Sequence, residues 1–153
     1  MDPGELDLAL VTYPSTHQRG EVIRMEQLYW VTSPRHHVHE LEVVPLAIYH
    51  ATSALRRIAT EALEKAGRSY RIACSSSSHD ALVGAVTAGL AVGFLPGCSL
   101  QPSLAIISER ERFPPLLQFG IALIEGAGAD EPHIKAMCRH IKTSLSNLLM
   151  AEP

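Results

Sequence analysis

The feature that most constrains this chain is a regular alternation between Val43 and Pro96. "VVPLAIYH" (43–50) is a short apolar run, and "TSALRRIATEALEKAGR" (52–68) after it repeats apolar residues at helical spacing. "YRIAC", "HDALVGAVTAGL" and "AVGFLP" then repeat the pattern as run, helix, run. Short apolar strands separated by amphipathic helices read as βαβ units, with right-handed crossovers and parallel strands. The expected class is therefore α/β. In the first helix Thr52 or Ser53 supplies the N-cap, and Leu55, Ile58, Ala59, Ala62 and Leu63 form the buried stripe. Gly67 stops it.

The flanks add four strands and a helix. "ELDLALVTYP" (5–14) reads as a strand buried on both faces, and "EVIRMEQLYWVTSP" (21–34) as one strand ending at Ser33-Pro34. "LAIISE" (104–109) and "LQFGIALIEGAG" (117–128) are two more, and a helix runs from Asp130 or Pro132 to Leu149. Aromatics make up only 5% of the chain, so aliphatic side chains fill the core, as suits sheets covered by helices. The net charge of -3 supplies no clustered basic face for a polyanion, which disfavours direct nucleic-acid binding. Cys74, Cys98 and Cys138 are odd in number and form no Cys-x-x-Cys, which reads as reduced cytoplasmic thiols. No basic segment leads into an apolar run and no apolar stretch reaches about 18 residues, so neither export nor a membrane span is expected.

Polar residues gather where α/β proteins bind ligands, beyond the carboxyl ends of strands. Ser75, Ser76, Ser77 and Ser78 lie between the strand ending at Cys74 and the helix beginning near Asp80. Their hydroxyls, with the free N–H groups of a first helical turn, suit a small anion or carboxylate. One of them is expected to cap the helix. His50, Thr52 and Ser53 hold the equivalent turn one unit earlier, with Arg56 just beyond, either facing the ligand or paired with Glu61 or Glu64. "RHHVHE" places His36, His37 and His39 beside Glu40, but a zinc site wants fixed geometry and histidines in a polar loop are usually solvated, so no metal is expected. No Gly-x-Ser-x-Gly, Walker loop, Gly-x-Gly-x-x-Gly or His-Glu-x-x-His occurs. No catalytic residue and no cofactor is expected.

"GELDLAL", "EQLYWVTSPRHHV", "VPLAIYHATSALRRIATEALEKAGR" and "SSSSHDALVGAVTAGLAVGFLP" follow one another in the order and spacing of the LysR-type transcriptional regulators. The last, with "VTAGLAVGFLP", resembles that family's effector-domain signature, and the resemblance runs from about Gly4 to Leu149. It implies a periplasmic-binding-protein-like (type II) domain of two lobes with a small-molecule inducer in the cleft between them. Residues 1–16 and 116–153 would form a first lobe, and 20–113 a second, inserted one, with hinges at Pro14–Arg19 and Arg112–Leu116. The cleft would be lined by His50 to Ser53, Ser75 to Ser78 and, from the first crossover, Tyr13 to Thr16.

Measured against that family, the chain resembles the C-terminal part of a regulator. The DNA-binding helix-turn-helix, its linker helix and the first strand, helix and second strand of the first lobe have no counterpart here. The strand Leu6–Val11 would then carry an unpaired edge, which favours self-association as a homo-oligomer, such as a dimer. The implied function is sensing, in the cytoplasm, of a polar or carboxylate effector, with DNA bound only through the absent helix-turn-helix. The rival readings are a transporter-type solute-binding protein, which shares the two-lobe fold but wants an export signal, and a small α/β hydrolase using one of the serines.

Overall fold

The computed structural model describes residues 6–14 and 20–147. The chain divides into two compact units, Met1–Met25 with Phe119–Pro153, and Glu26–Gln118.

The first unit is a three-stranded sheet and a helix. Strand β1 (Leu8–Pro14) pairs antiparallel with the late strand Phe119–Glu125, which sits between β1 and β2 (Glu21–Glu26). β1 thus forms an edge among the described residues. Its Leu10 is 51% exposed, against the expectation of burial on both faces; an edge strand with one covered face needs no continuous apolar burial. The closing helix, Pro132–Asn147, has Pro132 at its first position, where no amide hydrogen is missed.

The second unit holds the βαβ alternation. Its strands are β3 (Leu28–Thr32), β4 (Val44–Tyr49), β5 (Tyr70–Ser76), β6 (Gly93–Pro96) and β7 (Ala105–Ile107). Helices α1 (Ala54–Lys65) and α2 (His79–Thr87) lie between β4, β5 and β6. The Phe119–Glu125 strand of the first unit is β8 and its Pro132–Asn147 helix α3.

β4 and β5 are parallel, and a parallel bridge from Leu46 to Val92 leads into β6. Ala47 N–H donates to Val92 O (2.8 Å) and Val92 N–H to Pro45 O (2.8 Å), so the sheet continues as β5-β4-β6-β3-β7. The parallel expectation holds for the first three strands, while β3 runs antiparallel to both β6 and β7. The single strand expected over 21–34 is two, broken at Gln27. β2 pairs in the first unit's sheet and β3 in the second's. At the break the Gln27 side-chain amide donates through Nε2 to Leu28 O (2.9 Å) and Leu116 O (2.8 Å).

β4 is the unit's axis: Val44, Leu46 and Ile48 are fully buried, each worth about 1.5–3 kcal/mol of apolar transfer. Ala47 and Tyr49 instead join Leu82, Val83 and Val86 of α2 in one cluster with Cys74. α1 packs on β4 through Ile58, Ala59 and Leu63, while Leu55 and Ala62 are half-buried.

Between Leu46 and Ala47 the β4–β5 register slips: Leu46 faces Ile72, but Ala47 faces Cys74, and Ala73 has no partner. Opposed residues of a parallel pair share a face, so Cys74 and Ser76 turn to the side of Ala47 and Tyr49. Simple alternation from Tyr70 would have put them on the other side.

The glycines of "AGLAVGF" have distinct tasks. Gly89 ends α2 at φ +72, its N–H bonded to Val86 O (2.9 Å) and that of Leu90 to Ala85 O (3.0 Å). Gly93 lets β6 approach α2, since a Cβ there would lie 2.7 Å from Val86 Cγ2.

Candidate functional site

The carboxyl ends of β4 and β5 lie side by side, with Ile48 opposite Ser75 and Tyr49 opposite Ser76. That pairing extends β5 two residues past the expected end at Cys74, because backbone pairing with β4 outweighs serine's weak strand preference. Ser75 and Ser76 are therefore strand residues and only Ser77 and Ser78 belong to the turn.

Ser78 is the N-cap of α2 and its Oγ accepts from Ala81 N–H (3.4 Å), while Ser76 Oγ accepts from Ser78 N–H (3.0 Å). Ser75 and Ser77 are exposed, as are His50 and Thr52 on the neighbouring turn. Ser53 occupies the N-cap position of α1, yet its side chain makes no capping bond. The chain turns there through Ser53 N–H to His50 O (2.9 Å). Two helix N-termini thus open beside two hydroxyl-bearing strand ends, and one of them has no side-chain cap. Thr16 lies outside the described residues.

Three further side chains join this end of the sheet. Tyr49 Oη lies 3.0 Å from His79 Nδ1, linking the last residue of β4 to the first of α2. Burial, and secondarily the proximity of the Cys98 thiol, push the Tyr49 phenol above its ordinary range. Tyr49 also stacks edge-on against Phe94 (5.7 Å). Cys98 is exposed just past β6, the third parallel strand. The sequence reading of this site rests on hydroxyls and does not include them; their signals in the sequence are an aromatic closing an apolar strand and a histidine opening a helix. Arg56 contacts Tyr49 O (3.5 Å), and it is Arg57 that pairs with Glu61 (3.8 Å).

One group among the described residues has the donor atoms to hold a metal: His37, His39 and Glu40, whose ligand atoms lie within 4.8 Å of one another. They precede β4, at the amino end of the strands whose carboxyl ends carry the serines.

The model of the LysR substrate binding domain matches residues 2–146. The HTH-type transcriptional regulator DgdR of Burkholderia cepacia is 32% identical over 143 residues, covering 94% of this chain and 49% of that protein. PecT of Dickeya dadantii (strain 3937), also an HTH-type transcriptional regulator, is 26% identical over 76% of this chain and 37% of its own. The chain spans half or less of these relatives' length. The regulatory domain of HypT from Salmonella typhimurium (bromide ion-bound) superposes with a TM-score of 0.68 at 16% identity, over 93% of this chain and 73% of that one. DarR of Vibrio fischeri, solved in complex with DNA, gives 0.68 at 21% identity, over 92% and 50%. These are LysR regulatory structures of the periplasmic-binding-protein-like fold, and transcriptional regulators are not an enzyme class. None of the described helices is long and apolar enough to cross a membrane. With the family match running through both units, the chain belongs to the LysR substrate-binding domain family, the effector-binding part of LysR-type transcriptional regulators.

Proposed function

We propose that this domain senses a small polar effector carrying a carboxylate, held at the carboxyl ends of β4 and β5. The carrying observation is the paired helix N-termini, with the α1 terminus lacking a side-chain cap at Ser53. In this reading Thr52, Ser53, Ser76 and Ser77 bond the effector's oxygens, and His50 and Ser75 border it. Ser78 acts through α2, whose first turn it caps, and Tyr49 and His79 form one wall.

Binding rather than catalysis fits these contacts. The described bonds of Ser76 and Ser78 are to the backbone, and the histidine of the cluster is bonded to a phenol. Among the described residues, the bonds of the site's serines show no base beside the hydroxyl. The domain would act in the cytoplasm within a longer regulator that self-associates and meets DNA through a separate helix-turn-helix. An effector with unequal affinity for two conformations would then set transcription.

Mono- and dicarboxylates would be screened by the rise in unfolding midpoint, and the best binder titrated calorimetrically. At about 1 kcal/mol per hydrogen bond, a variant with Thr52, Ser53, Ser76 and Ser77 all changed to alanine should bind at least about 100-fold more weakly. An affinity unchanged in that variant would remove the site from this place.

A further inference from the structure

The segment "RHHVHE" folds as a short 3-10 turn, Val38–Glu40, rather than a loose loop. Its backbone is held from inside and out. Glu40 N–H bonds His37 O (3.0 Å), and the Arg68 guanidinium donates to His39 O (2.9 Å) and Leu41 O (3.1 Å). On this frame His37 Nδ1 stands 3.3 Å from Glu40 Oε1, and His39 Nε2 stands 3.8 Å from the same oxygen.

Those separations are informative. A charge-assisted hydrogen bond closes to about 2.7–2.9 Å. Two ligands bound tetrahedrally to one ion at about 2.0–2.1 Å stand about 3.3 Å apart. The His37–Glu40 spacing matches the edge of a metal polyhedron, and the ligand atoms of all three residues lie within 4.8 Å of one another. The His39 side chain is only 14% exposed and so is fixed by packing, whereas His37 and Glu40 are open to solvent. An ion can enter from that side and complete its coordination with water. Arg110 and Arg112, with Glu111, share a recess of about 240 Å³ with His39 and Glu40. The two guanidiniums lower the affinity below that of a closed four-ligand site.

We propose that His37, His39 and Glu40 bind a borderline divalent transition-metal cation, zinc foremost. Two imidazoles and one carboxylate suit such an ion, where calcium or magnesium would want oxygen ligands throughout. The site is separate from the effector region: the six residues of β4 lie between them, about 20 Å at the usual rise per residue.

The test is calorimetric titration of zinc chloride into the metal-stripped full chain, with cobalt chloride as a spectroscopic probe. The expected result is one equivalent bound, with visible cobalt bands and no thiolate charge-transfer band. His37→Ala and Glu40→Gln should each weaken zinc at least about tenfold, the scale seen even for loss of outer-shell partners. His36→Ala should leave it unchanged, because His36 Nδ1 lies against Ser33 Oγ (3.1 Å), away from the group. His37 and Glu40 are exposed, so these variants should fold, as Trp30 emission will report. No zinc binding at millimolar concentration, equal affinity in a His37→Ala, His39→Ala double variant, or a cobalt–thiolate band would each overturn the assignment.

Discussion

Gly89 allows the sharpest test of how the second unit is held together. Alanine there meets two separable penalties. The first is conformational: at φ +72 an L-residue loses about 1–2 kcal/mol against the right-handed region. The second is steric: the new Cβ would stand 2.1 Å from His36 Cγ and 2.4 Å from its Nδ1, so the imidazole must leave. Leaving breaks its contact with Ser33 Oγ (3.1 Å), worth about 0.5–1.5 kcal/mol net. Gly89→Ala should therefore cost about 2–3 kcal/mol, a large share of the total stability of a domain. In a His36→Ala background only the conformational part should remain, leaving a coupling of about 1 kcal/mol. Urea titrations followed through Trp30 suit this test, since the chain has one tryptophan, it is 2% exposed, and it lies in the same unit. A cost under about 0.5 kcal/mol, or an equal cost with and without His36, would refute the reasoning.

Two further outcomes follow from burial. Leu63→Ala, at a fully buried position of α1, should lose about 2–5 kcal/mol in the same urea assay, and a loss below about 1 would mean that α1 does not close the core at that point. Tyr49 is raised first by burial and then by Cys98, and Tyr70 by burial and its bond to Glu64, so two tyrosines should ionise above the ordinary value near 10. Because folding favours the neutral phenol, their contribution is intact below that pH and is lost as pH rises through the folded values. Tyrosinate absorbance should show two late tyrosines, and one in Tyr49→Phe; both persisting would place Tyr49 in solvent.

The parts of the fold that local chemistry decides could be read from the residues. β4 is an unbroken apolar run, α1 carries its stripe at helical spacing, and Gly67 and Gly89 mark helix ends. What non-local pairing decides could not. "EVIRMEQLYWVT" looks like one strand throughout, and only the different partners of its halves break it at Gln27. Ser75 and Ser76 look like a loop, and only Ile48 and Tyr49 opposite them make them strand. The site divides the same way. The serines and the N-cap of α1 are visible as turn chemistry beside apolar strands. The Tyr49–His79 contact joins residues 30 apart, and nothing local in either position announces the other. The 3-10 turn at Val38–Glu40 escaped for a related reason, since its frame depends on Arg68 from a distant turn.

The register slip beside Ala73 has a consequence for how this sequence can change in length. Seven residues of β5 lie against six of β4, and the surplus one is exposed and unpaired. A chain lacking Ala73 would have six against six, with Cys74 still opposite Ala47 and Ser76 still opposite Tyr49. Losing a second residue between Cys74 and Ser76 would leave five against six, pull the serine turn back by one position and reverse the faces its side chains address. Position 73 is thus slack: the loss of one residue there leaves every later pairing of β5 in place, and only a further loss moves the serine turn.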